Sequence, residues 1–337
     1  MSRRRWLQAA ALLVIGVLIL YGLIRTVDPA KVGAAMRRAS LGWMLFGELA
    51  FFAFLLVRAW RWLVILRASA PAATLGDATA VTGIGFAVNS VSPFKLGELI
   101  RIGAIAPRAR MGIGEAGATV VVERVLDVLA LLVIAVAAAA LSGAGSHSFW
   151  LWSGVFLIAG VAAAIGLIAY LMVTYPQPTL NTIDRIASGL PAGVARFVDR
   201  FAASVLKGFS SLRSPGRLAF SGLLSIVVWI CIIAGLAAFF RSLTGQLSVP
   251  TLVLACAILT ISQAISITPG SVGTYEGFFL LVFSTFGAGP ASLLTAVAVL
   301  SHVGNIAALL LAGALGALWL RLTRTPLPVR AQSAMSS

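Results

Sequence analysis

Six charged residues stand inside or beside long apolar runs of a 337-residue chain: Glu98, Arg101, Glu123, Arg124, Asp127 and Glu276. On a helix, Glu123 and Asp127 are four apart and share a face, with Arg124 three before Asp127; Glu98 and Arg101 are likewise three apart. Each charge costs roughly 2.5–3.5 kcal/mol at the centre of a membrane helix on insertion scales, so six left unpaired would total about 15–20 kcal/mol. They must therefore face inward, toward one another or toward water. Glu98, Arg101, Glu123, Arg124 and Asp127 can close a network of three acids and two bases that nearly neutralises itself. Such a network either ties helices together or holds an ion or the charged headgroup of a lipid. The position of the acids beside an interrupted helix favours the second.

The second half carries Ser301-His302-Val303-Gly304-Asn305. His302 and Asn305 follow Glu276 by 26 and 29 residues, as Arg124 and Asp127 follow Glu98. They are candidate counterparts of that pair, although a lone membrane histidine also serves helix packing. Asn89 and Gln263 precede the two interruptions; each reads as a cavity contact or an interhelical hydrogen bond.

The elements that must position these residues follow from composition. The chain is 60% apolar and 10% charged, with a mean hydropathy of +1.03. Soluble domains carry about 25% charged residues, so a water-soluble globule is excluded and an all-α polytopic membrane protein is indicated. Six segments are long enough to cross fully, at about 7–24, 41–66, 115–141, 149–174, 218–240 and 291–320. Two more, 75–107 and 251–287, are interrupted by Pro, Gly and charge. The connector 176–217 is polar with short amphipathic patterns, as a cytoplasmic linker or interfacial helices would be. A single transmembrane domain over 1–325 and a disordered tail over 326–337 are expected.

The interrupted segments resemble each other. Ser92-Pro93-Phe94-Lys95-Leu96-Gly97-Glu98 and Thr268-Pro269-Gly270-Ser271-Val272-Gly273-Thr274-Tyr275-Glu276 share Ser/Thr-Pro-x-x-apolar-Gly followed by Glu. Pro93 to Pro269 and Gly97 to Gly273 are both separated by 176 residues. Charge gives the two stretches opposite topology. Arg3, Arg4 and Arg5 hold the N-terminus in the cytoplasm. The connector carries Arg185, Arg196, Arg200, Lys207, Arg213 and Arg217, and the C-terminus Arg321, Arg324 and Arg330, whereas 142–148 has no Lys or Arg. By parity 75–107 begins and ends inside and 251–287 begins and ends outside, as re-entrant hairpins or paired crossings. The cluster Arg25, Lys31, Arg37 and Arg38 runs against this threading, since it falls in the first external loop. The reading is an inverted repeat, about 75–141 and 251–320. Breaks at Pro93, Gly97, Pro269, Gly270 and Gly273 free backbone groups that survive in lipid only where protein or water surrounds them. Inverted repeats with broken helices build secondary transporters, with the site near the midplane. Half-helices starting near Gly97 and Gly273 would aim their positive ends at an anion.

Other chemistries find no support. The net charge of +15 is accounted for by positive-inside loops, without nucleic acid. Cys231 and Cys256 form no CxxC pair, and no metal cluster, cofactor motif, P-loop or nucleophile–His–acid set is present. Gly112-Ile113-Gly114-Glu115-Ala116-Gly117 matches GxGxxG without a preceding strand. The tryptophans at 43, 60, 62, 150, 152 and 319 read as interfacial belts.

Asn89-Ser90-Val91-Ser92-Pro93 with Gly97-Glu98 and Arg101, then Glu123-Arg124 and Asp127, then Pro269, Gly273 and Glu276, resembles the transmembrane region of lysylphosphatidylglycerol synthetase/flippase proteins over roughly residues 5–320. That resemblance implies movement of polar-headgroup lipids, such as phospholipid, aminoacyl lipid or polyprenyl phosphate, between leaflets of the cell membrane. Carried over by motif, Glu98, Arg101, Glu123, Arg124, Asp127 and Glu276 are the cavity residues. The chain has no room for the family's soluble aminoacyl-transfer domain, so it is not expected to be an enzyme. The expected partners are membrane lipids, with a second copy of the chain and a separately encoded lipid-synthesising enzyme as further candidates. An ion-coupled small-solute transporter, a membrane-embedded transferase and an accessory subunit are the alternatives; a cavity sealed from lipid would favour the transporter and a lateral groove the flippase.

Overall fold

The computed structural model describes residues 29–92, 96–142, 174–187, 192–209, 213–243, 247–263 and 268–323, with scattered positions within 14–22 and 160–171. The expected spans 7–24 and 149–174, the break residue Pro93 and the tail therefore fall wholly or largely outside the described residues. Among these residues the order is α1 Pro29–Arg37, α2 Leu41–Leu66, α3 Leu75–Asn89, α4 Gly97–Arg108, α5 Ile113–Ser142, α6 Pro176–Ala187, α7 Ala192–Gly208, α8 Pro215–Ser242, α9 Val249–Ser262, α10 Thr274–Thr285 and α11 Ala291–Leu322. The protein is an all-α polytopic membrane protein in which α2, α5, α8 and α11 are long and apolar enough to cross a membrane.

The lengths repeat. α2 to α5 run 26, 15, 12 and 30 residues, and α8 to α11 run 28, 14, 12 and 32. At about 1.5 Å per residue the short helices reach roughly 18–23 Å, less than the ~30 Å of a bilayer core. Each short pair instead folds back. Thr74 accepts a hydrogen bond from the Asp77 N–H to start α3, and Asp77 pairs with Arg108 at the far end of α4, 2.6 Å away. The hairpin begins and ends at one end of the molecule. Ser248 caps α9 in the same way, and Leu254 of α9 shares a cluster with Phe286 just past α10.

The long helices α2 and α8 form an antiparallel centre. The Ser40 N–H donates to the Ser242 carbonyl at one end (2.9 Å), and Ile65 packs near Leu218 at the other. Gly47 and Gly235 let the two backbones approach between them, as small residues do in membrane interfaces. Around this pair the halves exchange partners: α3 packs on α11 and α9 packs on α5. Gly83 and Gly316 carry the first contact, each lying against backbone carbonyls of the facing helix. Ala130, Leu131 and Ala257 carry the second.

The two interruptions meet at the middle. Gly270 (φ 62°), Ser271 (φ 61°) and Gly273 (φ 78°) turn the chain before α10 in a left-handed conformation that glycine tolerates best. A Cβ on Gly270 would sit 2.6 Å from the Ser90 carbonyl oxygen of the other break. On the first hairpin, Gly97 lies directly against the Gly85 carbonyl, where a Cβ would overlap it. Gly97→Ala should therefore splay α3 from α4. The expected result is a monodisperse fraction in detergent reduced several-fold; wild-type yield and thermal resistance would refute this packing.

The connector forms α6 and α7, and α7 docks on the start of α5. There the Glu115 N–H donates to Ser204 Oγ (3.0 Å), and Lys207 lies 3.3 Å from the Glu115 carboxylate. One belt assignment is corrected. Trp62 is fully buried, its indole N–H donating to Thr119 Oγ1 at 3.0 Å, because α4 and α5 close over its face of α2. Trp43, Trp60 and Trp319 are exposed along much of their surface.

Candidate functional site

The long helix α5 brings Glu123 and Asp127 to one face, and α2 meets that face with Arg58 and Arg61, also three apart on a helix. Arg61 donates to Asp127 Oδ1 at 2.6 Å, to Glu123 Oε1 at 3.0 Å and to Ser225 Oγ of α8 at 2.7 Å. Glu123 Oε2 accepts from Arg101 of α4 at 2.5 Å, and Arg101 also donates to Glu98 at 3.0 Å. The other Glu98 oxygen accepts from Arg124, and Arg124 returns to Asp127 Oδ2 at 3.5 Å. These six side chains form a closed ring of alternating sign, with Arg58 attached to Asp127 Oδ2 at 2.8 Å.

The ring is the network expected from the sequence with two members added. Arg58 and Arg61 were missed because Trp60 and Trp62 make that stretch look like a span end at the membrane surface. Their three-residue spacing, matching that of Arg124 and Asp127, was the available signal. The addition changes the electrostatics: four guanidinium groups face three carboxylates, so the cluster carries one excess positive charge.

Burial divides the ring. The side chains of Arg61, Arg101 and Glu123 are inaccessible, and Arg101 lies 4.1 Å over the Trp62 ring. Arg124 keeps 45% of its side-chain surface accessible. That surface faces a cavity of about 320 Å³ whose wall includes Asn89, Ser90, Arg124, Gly270, His302 and Asn305. The cavity thus lies between the two breaks and takes polar groups from both halves. A guanidinium with free donors in such a space is suited to phosphate or carboxylate.

The remaining predicted residues sit around this cavity in different roles. The Asn89 side-chain oxygen accepts the Gly97 N–H at 2.7 Å, so it caps α4 while lining the cavity. Glu276 is buried behind the cavity wall, where it accepts the Gly273 N–H at 2.8 Å and contacts His302 Nδ1 at 2.7 Å. The leading amide of each half-helix is therefore satisfied by a side chain, which leaves less of the positive end for a ligand than the bare helix start suggested. The Glu98–Arg124 and Glu276–His302 pairs both close across 26 residues. Gln263 lines the same cavity, and Pro269 is buried in the turn behind it.

A second cavity, about 440 Å³ and almost wholly apolar, follows the first along the same three helices. The first cavity takes Phe51 and Phe54 of α2, Phe86 and Asn89 of α3, and Asn305 and Leu309 of α11. The apolar one takes Phe52 and Leu55, then Gly76, Thr79 and Gly83, then Ala312 and Trp319. Its rim residues Leu56, Leu75, Leu315 and Trp319 are exposed, so it opens sideways.

Fold and site together define a polytopic α-helical membrane protein with a charge-bearing cavity between its two breaks. The chain belongs to the family described as the lysylphosphatidylglycerol synthase TM region, whose model matches residues 8–329. It is also similar to a UPF0104 membrane protein of Methanothermobacter thermautotrophicus, at 24% identity over 299 residues covering 84% of this chain and 87% of the relative. The matched region is a membrane region without a synthetase module, and no group of three or more metal-binding side chains occurs among the described residues.

Proposed function

We propose that the protein moves a lipid with an anionic headgroup between membrane leaflets. The observation that carries this reading is the succession of a cavity bearing Arg124 and a sideways-opening apolar groove along α2, α3 and α11. A headgroup at Arg124 would place its acyl chain in the groove, and a soluble substrate has no use for such a groove. The family's name, taken from the membrane region of a lipid synthase, agrees in substrate class.

On this reading α3–α4 and α9–α10 are re-entrant hairpins of an inverted repeat, entering from opposite sides. The exchange of α3 onto α11 and α9 onto α5 supports a pseudo-two-fold axis through the meeting breaks. Positive-inside charge puts the Asp77, Arg108 and Lys207 end in the cytoplasm with both termini. The buried part of the ring supports the structure, and Arg124 receives the ligand.

The test is leaflet exchange of tail-labelled fluorescent phosphatidylglycerol in phosphatidylethanolamine/phosphatidylglycerol vesicles, read by dithionite quenching. Vesicles with wild-type protein should lose inner-leaflet fluorescence, and Thr79→Trp, which fills the groove, should slow that loss several-fold. Quenching no faster than in protein-free vesicles would count against lipid transport.

A further inference from the structure

The pairs Glu98–Arg124 and Glu276–His302 differ in one chemical respect: a guanidinium keeps its proton, whereas an imidazole can release one. Geometry fixes how the second pair holds it. His302 Nε2 lies 2.8 Å from the Gly270 carbonyl oxygen, which can only accept, so Nε2 carries hydrogen. Nδ1 lies 2.7 Å from Glu276 Oε1, and that contact requires one more proton between them. The pair is either imidazolium with carboxylate or imidazole with carboxylic acid. Both forms are neutral overall and hold the same single exchangeable proton. Its loss to cavity water leaves a carboxylate facing a nitrogen lone pair and a net charge of −1, while the Nε2–H bond to Gly270 persists.

The surroundings place this proton where it acts on the cavity. His302 lines the cavity wall with Arg124. Glu276 and Tyr275 face it from α10, the Tyr275 ring 4.5 Å from the imidazole and its hydroxyl hydrogen-bonded to Ser301. Cys256 of α9 lies near Tyr275, and Glu48 of α2 meets α11 at Gly304. Asn89 and Ser90 of α3 are neutral.

We propose that Glu276–His302 is a proton-binding site coupled to the anion site at Arg124, so that its protonated form favours binding of an anionic headgroup. This rests on the reading of the cavity as a headgroup site. With the pair protonated and neutral, it does not oppose the ring's single excess positive charge, which attracts an anion. Deprotonation adds a negative charge to the same cavity wall and cancels that excess. Anion binding therefore strengthens as pH falls through the pair's titration and weakens as pH rises through it.

The chain has two histidines, His147 and His302, so ¹⁵N-histidine spectra of His147→Asn in phosphatidylcholine nanodiscs report His302 alone. As pH rises, the Nδ1 resonance should move to that of a lone pair with no proton donor opposite it, while Nε2 keeps its hydrogen. Glu276→Gln, an isosteric change, should remove the carboxylate that shares this proton and so alter the pH response of Nδ1. Added phosphatidylglycerol should raise the midpoint, and Arg124→Gln should remove that response. An Nδ1 resonance that does not respond to pH, or a response indifferent to Glu276→Gln, overturns the proton site. A midpoint unmoved by phosphatidylglycerol in protein that retains that lipid overturns the coupling. Failure to retain the lipid, with the titration intact, counts against the headgroup reading instead.

Discussion

Arg124→Ala should strongly reduce retention of an anionic lipid while leaving the protein folded, an outcome to be read by native mass spectrometry of wild type and variant purified alike. The fold survives because Arg124 is the ring's outermost member: Asp127 keeps Arg58 and Arg61, and Glu98 keeps Arg101. What the variant loses is the ring's excess charge, since three guanidinium groups then face three carboxylates, together with the donors that enter the cavity. A charge-assisted hydrogen bond contributes about 1.5–3 kcal/mol, so affinity should fall about ten- to hundred-fold. Arg124→Lys keeps the charge but not the planar fork, and should retain an intermediate amount. Equal retention of one headgroup class by wild type and Arg124→Ala would sink the assignment.

Arg61→Ala changes the net charge by the same amount, and its effect should be the opposite. Arg61 bridges Glu123, Asp127 and Ser225. Its loss leaves a carboxylate oxygen on each acid without its partner in a site closed to solvent. Removing one member of a buried ion pair costs about 3–5 kcal/mol. That is a large share of a protein's net stability. Thermal denaturation in detergent should show Arg61→Ala far less stable than both wild type and Arg124→Ala. A denaturation profile matching Arg124→Ala would mean that the ring is not held from its centre. The two variants together separate electrostatics from architecture, because they share a net charge and differ only in position.

Much of this arrangement was legible in the sequence. The long helices α2, α5, α8 and α11 fall within a few residues of the segments expected from hydropathy, because twenty or more apolar residues leave little alternative. The half-helices begin at Gly97 and just after Gly273, where broken-helix chemistry placed them. The spacing of Glu98, Arg124 and Asp127 against Glu276, His302 and Asn305 was visible as an offset, and the structure brings Arg124, His302 and Asn305 to one cavity. What the sequence hid depends on partners distant along the chain. Arg58 and Arg61 meet their acids across more than sixty residues, and hydropathy says nothing of which helix faces which. The exchange of α3 onto α11 is hidden for the same reason. The capping of α4 by Asn89 and of α10 by Glu276 was also out of reach, since a polar residue near a break can turn toward the cavity or toward the helix end.

The division of labour between the halves has a consequence for how the chain is made. Every member of the charged ring, from Arg58 to Asp127, lies before Ser142, so the costliest groups can satisfy one another as soon as α5 leaves the ribosome. The hairpin α3–α4 is in a different position. The packing surface of α3 is α11, which follows all the other described helices in the chain. The nascent first half therefore waits in the membrane electrostatically complete but with one seam unpaired until α11 fills it.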